Sequence, residues 1–144
     1  HMDEHSRGAV LGLSLDTRRA DLYKAMMEGI NYELALIMDA LLEAGIEVGQ
    51  IISTGGSLSP QLLQIKADIL GRNIHTVRNQ QTGSLGGAML EAVAFGEYDN
   101  LETAVAGMVR SGITYKPDRT AHELYAEYMN QYRRVYSAVR SVFE

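Results

Sequence analysis

Between Arg18 and Ala44 the apolar residues Leu22, Met26, Ile30, Leu34, Ile37, Leu41 and Leu42 recur at three- and four-residue steps, the period of one helix face. The pattern predicts a long helix that ends near Gly45. Asp16 and Thr17 are both suited to cap its start, because a short side-chain oxygen there accepts an orphan backbone N–H. Just upstream, Ala9-Val10-Leu11-Gly12-Leu13 is a short apolar run that reads as a strand or a buried loop.

Gln50-Ile51-Ile52-Ser53-Thr54 is a brief run with β-branched residues that stops at Gly55-Gly56, the pattern of a buried strand feeding a tight turn. A helix follows. Ser59 is placed to N-cap it and Pro60 to occupy its first turn, where a missing N–H is harmless. Leu62, Leu63, Ile65, Ala67, Ile69 and Leu70 supply its packing surface, and Gly71 ends it. Ile74-His75-Thr76-Val77 predicts a second strand, followed by a polar loop over 78–81. Thr82-Gly83-Ser84-Leu85-Gly86-Gly87 opens a helix running to about Gly96, and further helices are expected over 101–109 and from Thr120 onward. Strand, helix, strand, helix is an α/β order. Two strands make a marginal sheet, so a domain lacking its first strands is expected. An unpaired sheet edge of that kind makes a homodimer one expectation.

At 144 residues a single core is expected. The formal charge of -5 removes the basic footprint that nucleic-acid binding needs. Without cysteine there is no disulfide, thiolate ligand or thiol nucleophile, in keeping with a cytoplasmic setting. The tyrosines Tyr125, Tyr128, Tyr132 and Tyr136, at helical spacing, read as packing surface rather than a stacking platform. His1, His5, His75 and His122 show no metal-ligand spacing, so no metal site is expected. Asp16 and Asp68 are explained by a helix cap and a solvated face. His1-Met2 reads as a cloning remnant, and residues 1–7 are expected to form a disordered lead to a unit at 8–144.

Thr54-Gly55-Gly56-Ser57-Leu58-Ser59-Pro60, followed by Ala67-Asp68-Ile69-Leu70-Gly71-Arg72, resembles the FGGY carbohydrate-kinase segment in which a glycine-rich turn leads into a helix ending ADxxG. Gly12-Leu13-Ser14-Leu15 with Arg19-Ala20-Asp21-Leu22 and Glu28-Gly29-Ile30 resembles a stretch typical of xylulokinases, and Gly83-Ser84-Leu85-Gly86-Gly87-Ala88 resembles a third family motif. The tail from Thr114-Tyr115-Lys116-Pro117 through the tyrosine-rich helix is similar too. The sequence departs from the pattern where Thr54 precedes only two glycines, where Thr17 or Arg18 stands in place of a common His, and where no Glu lies between Asn79 and Thr82.

The resemblance implies an α/β fold of the actin-like ATPase (ribonuclease H-like) superfamily, present as a partial, helix-rich domain with a small sheet: the nucleotide side of the C-terminal domain of an ATP-dependent, xylulokinase-like sugar kinase. ATP or ADP is the implied ligand, with Mg²⁺ held mostly by residues outside this chain and the sugar bound mainly by an N-terminal domain. In the family the catalytic base lies before the segment matched here, so no catalytic residue is expected in the chain, which alone is expected to be inactive. By resemblance Gly55 and Gly56 face the sugar and phosphates of the nucleotide, Ser59 contacts the nucleoside, and Thr54 belongs to the same turn. A simple strand-to-helix turn capped by Ser59 accounts for the same residues, and both readings can hold together. Gly83, Gly86 and Gly87 read first as small residues that permit close helix packing. Two alternatives are another FGGY kinase, for glycerol, ribulose, rhamnulose or a signalling carbohydrate, and a non-catalytic nucleotide-binding or assembly module.

Overall fold

A computed structural model describes residues 7–55, 59–79 and 81–142. Five helices and three strands follow one another as α1 (Arg19–Glu43), β1 (Ile51–Ser53), α2 (Pro60–Leu70), β2 (Ile74–Val77), α3 (Thr82–Ala94), α4 (Leu101–Met108), β3 (Ser111–Tyr115) and α5 (Arg119–Val139), the last running into a 3₁₀ turn, Arg140–Val142. His1 to Ser6 of the expected lead lie outside the described residues, as do Gly56, Ser57 and Leu58.

The sheet has the order β1-β2-β3. β1 and β2 run parallel with Ile51 opposite Ile74, and α2 is the crossover between them. The third strand corrects the two-strand expectation. β3 lies antiparallel to β2, and Ser111-Gly112-Ile113-Thr114-Tyr115 escapes a pattern reading because its first four residues are exposed and no apolar alternation marks them. A register shift between His75 and Val77 sets Thr76 against the extra residue of β3. The Ile113 N–H donates to Thr76 Oγ1 at 2.9 Å, and that hydroxyl donates to the Ile113 carbonyl at 3.0 Å. The bulge needs Gly112, since a Cβ there would stand 2.5 Å from Thr76 Oγ1.

The core gathers on α2. Leu63, Ala67, Ile69 and Leu70 pack with Ile74 of β2, Tyr32 and Ala35 of α1, and Tyr125 of α5. Helix α1 forms where its spacing predicts, but its packed face differs from the expected one. Asn31, Tyr32 and Ala35 are buried, whereas Met26, Ile30 and Ile37 of the apolar stripe are more than half exposed. The helix is apolar on two sides, and periodicity does not say which one this chain covers. Its start also differs: Arg18 is the N-cap, with the Asp21 carboxylate accepting the Arg18 N–H at 2.8 Å. Thr17 Oγ1 instead accepts the Ser14 N–H at 2.9 Å, and Asp16 donates its own N–H to Ser14 Oγ. The run Ala9–Leu13 is neither strand nor buried loop; it is exposed throughout, with no described strand or face to cover it.

Of the tyrosine stripe of α5, Tyr125 and Tyr132 are packing surface as expected, whereas Tyr128 and Tyr136 are exposed. Tyr32 of α1 meets Tyr125 edge-on at 6.3 Å between centroids and Tyr132 at 4.9 Å. Tyr125 donates to Glu28 Oε1 at 2.8 Å, Tyr132 donates to Glu33 Oε1 at 2.7 Å, and Arg133 pairs with Asp39. The partners come in the same order on both helices, so α1 and α5 run in the same sense where this clasp joins them.

Candidate nucleotide-binding turn

Parallel pairing places the carboxyl ends of β1 and β2 side by side, so the turn into α2 and the loop into α3 spring from one end of the sheet. That end is where open α/β sheets hold ligands. Ser53, the last residue of β1, is buried; Thr54 is exposed and Gly55 half-buried. Gly55 has φ +107°, a backbone region that side chains avoid, and no described atom lies within 4 Å of where its Cβ would be. The chain is therefore bent by glycine at Gly55, and no described atom closes over that bend. Gly56, the other predicted glycine, lies outside the described residues.

Ser59 caps α2 as expected: its Oγ accepts the Leu62 N–H at 3.1 Å, and Pro60 opens the helix. The helix N-terminus thus presents a partial positive charge beside the turn. On the β2 side, Asn79 Oδ1 accepts the Gln81 N–H at 3.0 Å and leads into α3. The packing role expected of Gly83, Gly86 and Gly87 is not met. No described atom lies within 4 Å of a Cβ built at any of them, so nothing described in this chain packs against that side of α3.

Two polar residues of α2 were not singled out correctly by pattern. Lys66, which no motif reading marked, sends its ammonium to Ser53 Oγ at 2.9 Å, and burial lowers its pKa. The signal was a lone cation between Leu63 and Ala67 in a packed segment. Asp68, expected on a solvated face, is buried. Its Oδ1 accepts the Asp118 N–H and a Gln64 Nε2 hydrogen, each at 2.8 Å. Asp118 in turn caps α5, accepting the Ala121 N–H at 2.8 Å.

The remainder of the Ala67–Arg72 motif is equally structural. Ala67 is fully buried, Gly71 adopts φ +60° beneath the His122 ring, and Arg72 donates to the Val48 carbonyl at 2.8 Å, anchoring the approach to β1. His122 Nδ1 lies 2.8 Å from the Asp68 carbonyl and His75 Nδ1 3.0 Å from Thr114 Oγ1, so both imidazoles tie elements together. Among the described residues no three His, Cys, Asp or Glu side chains converge to hold a metal. A shallow groove of about 220 Å³ between Arg19, Leu22, Tyr23 and Met26 lies on α1 alone and lacks converging polar groups. No described helix is long and apolar enough to cross a membrane.

Residues 1–95 match the C-terminal domain of the FGGY family of carbohydrate kinases, a span that contains the glycine turn, α2, β2 and α3. The chain belongs to the FGGY family. This FGGY chain is 29% identical to a xylulose kinase of Staphylococcus epidermidis over 143 residues, which are 99% of this chain and 29% of that protein. It is 32% identical to a ribulokinase of Mycolicibacterium smegmatis over 134 residues, 89% of this chain and 24% of that one. The crystal structure of a ligand-bound xylulose kinase from Lactobacillus acidophilus superposes with a TM-score of 0.83 at 24% identity, covering 98% of this chain and 29% of that one. The FGGY chain thus spans under a third of the length of these relatives, and the last likeness establishes the fold.

Proposed function

We propose that this chain forms the adenosine side of the nucleotide cleft in an ATP-dependent sugar kinase acting on xylulose or a close relative. The reading is supported above all by one observation: a glycine bend at Gly55, uncovered by any described atom, follows the carboxyl end of β1 and precedes a capped helix within the FGGY match. Backbone N–H groups without a Cβ in the way, next to a helix N-terminus, suit an anionic nucleotide. Thr54, Gly55, Gly56 and Ser59 are the proposed contacts, with the Ser59 hydroxyl both capping α2 and bordering the ligand. Phosphoryl transfer from ATP to a sugar hydroxyl is mostly positioning and charge stabilisation. Mg²⁺ neutralises phosphate charge in such reactions; the described residues offer it no three-ligand site. The proposed share of this chain is to hold and orient the nucleoside, and by itself it transfers no phosphoryl group. The similarity to a ribulokinase supports a second reading that differs only in the sugar.

Titration of the ¹⁵N-labelled chain with MgADP tests this. Saturable amide shifts centred on Thr54, Gly55 and the first turn of α2 are expected. A folded sample whose turn amides stay unmoved at millimolar nucleotide removes nucleotide binding from this chain.

A further inference from the structure

The second turn of α2 carries a cation where the helix otherwise packs. Lys66 lies between Ile65, packed against the core, and the fully buried Ala67, and its side chain is half-buried. Long side chains on a helix lean toward its N-terminus, and here that direction leads to the end of β1. The ammonium donates to Ser53 Oγ at 2.9 Å. Ser53 is itself only 7% exposed, and no described carboxylate forms an ion pair with Lys66. A buried hydroxyl and a half-buried ammonium each need a hydrogen-bond partner, and these two supply one another.

The contact sits at a leverage point. Ser53 is the last paired residue of β1, opposite Thr76 of β2, and Gly55, with φ +107°, follows two residues later. Glycine leaves the backbone at that bend free to rotate, so its direction depends on how firmly the strand end is held. The parallel ladder holds Ser53 from the side of β2, and Lys66 holds it from the helix that the turn launches.

We propose that Lys66 is a positioning residue for the β1–α2 turn, pinning the carboxyl end of β1 through the Ser53 hydroxyl so that Thr54 and Gly55 leave the sheet in one direction. Its consequence for nucleotide binding rests on the proposed function; its effect on the turn does not.

The test compares Lys66→Met, Lys66→Arg, Ser53→Ala and the Lys66→Met/Ser53→Ala double variant, first without nucleotide. Hydrogen exchange at the Ser53, Thr54 and Gly55 amides is expected to rise roughly fivefold, the size of one lost hydrogen bond, in Lys66→Met and equally in Ser53→Ala. Exchange in α1 and α3 stays unchanged, the double variant is no worse than either single one, and Lys66→Arg recovers most of the protection. MgADP titrations then show the same ranking in Kd. Unchanged exchange at the three turn amides in Lys66→Met, or effects of the two single variants that simply add, overturns the proposal, and Ser53→Ala alone decides the matter if the lysine variant does not fold. Turn amides that respond in a chain that never binds MgADP leave the positioning role standing and remove the nucleotide reading instead.

Discussion

The His122 ring lies directly over Gly71, so close that a Cβ on the glycine would stand 2.5 Å from Cε1 of the imidazole. Gly71 ends α2 in the left-handed region, φ +60°, and the ring is held there by its 2.8 Å contact with the Asp68 carbonyl. Gly71→Ala therefore meets both backbone strain and a clash, and is expected to lower stability by about 2–3 kcal/mol. Adding His122→Ala relieves the clash while the backbone term of about 1 kcal/mol remains. Urea unfolding of the three variants checks this; purely additive losses would show that the ring and the glycine do not interact.

Asp68 supports a different prediction. Removing its carboxylate leaves the Asp118 N–H without its acceptor, while Gln64 Nε2 keeps only its 2.9 Å bond to the Lys116 carbonyl. Asp68→Ala should destabilise by about 2 kcal/mol, whereas Asp68→Asn, which keeps a carbonyl oxygen, should lose less than half of that. Amide exchange locates the damage: the first turn of α5 should lose protection before α1 does. Equal losses in Ala and Asn would point to charge, not to the acceptor.

Two buried tyrosines on the α1–α5 clasp should respond to loss of the hydroxyl with opposite sign. Tyr32 is 6% exposed and its OH has no hydrogen-bond partner among the described residues, so Tyr32→Phe removes an unsatisfied polar atom and should be neutral or stabilise by up to about 1 kcal/mol. Tyr125 donates to Glu28, and Tyr125→Phe should destabilise by about 1 kcal/mol. Thermal melts at neutral pH compare them directly, and a large loss in Tyr32→Phe would reveal a partner for its hydroxyl.

Alkali should act on the same cluster. Burial, with the Glu28 charge second, raises the pKa of Tyr32 from 10.0 to about 12, and burial followed by the bonds to Glu28 and Glu33 raises Tyr125 and Tyr132 as well. The folded chain then holds these phenolic protons more tightly than the unfolded chain. Their contribution is whole below pH 10 and is lost as pH climbs through the folded values, so the urea midpoint should fall steeply between about pH 10 and 12. Tyr32→Phe, having one titration fewer, should flatten that fall.

Local chemistry made part of this structure legible from sequence. Ser59-Pro60 and Gly71 bracket α2 where capping and glycine preferences place them, and Ile74–Val77 forms the strand its β-branched residues suggest. Distant partners hid the rest. Asp68 reads as a surface acid until the Asp118 N–H, fifty residues on in the chain, closes over it. β3 owes its place to its pairing with β2, with Thr76 filling the bulge, and not to any alternation of its own. Both sides of α1 are apolar, and the packing of Tyr32 and Ala35 on α2, with Tyr32 meeting Tyr125 and Tyr132, decides which one turns inward. For the candidate turn, Gly55 and Ser59 were visible because each meets a backbone demand, while Lys66 depends on a tertiary contact with Ser53.

The α1–α5 clasp also sets an order of events on the ribosome. Glu28 and Tyr125 are 97 positions apart, and Glu33 and Tyr132 are 99 apart. The β1-α2-β2 unit can assemble as soon as its own residues emerge, but Tyr32 has neither of its aromatic neighbours until α5 has been synthesised. Throughout that interval α1 has only α2 to pack against, through Tyr32 and Ala35, and the ring-on-ring part of its contact forms last.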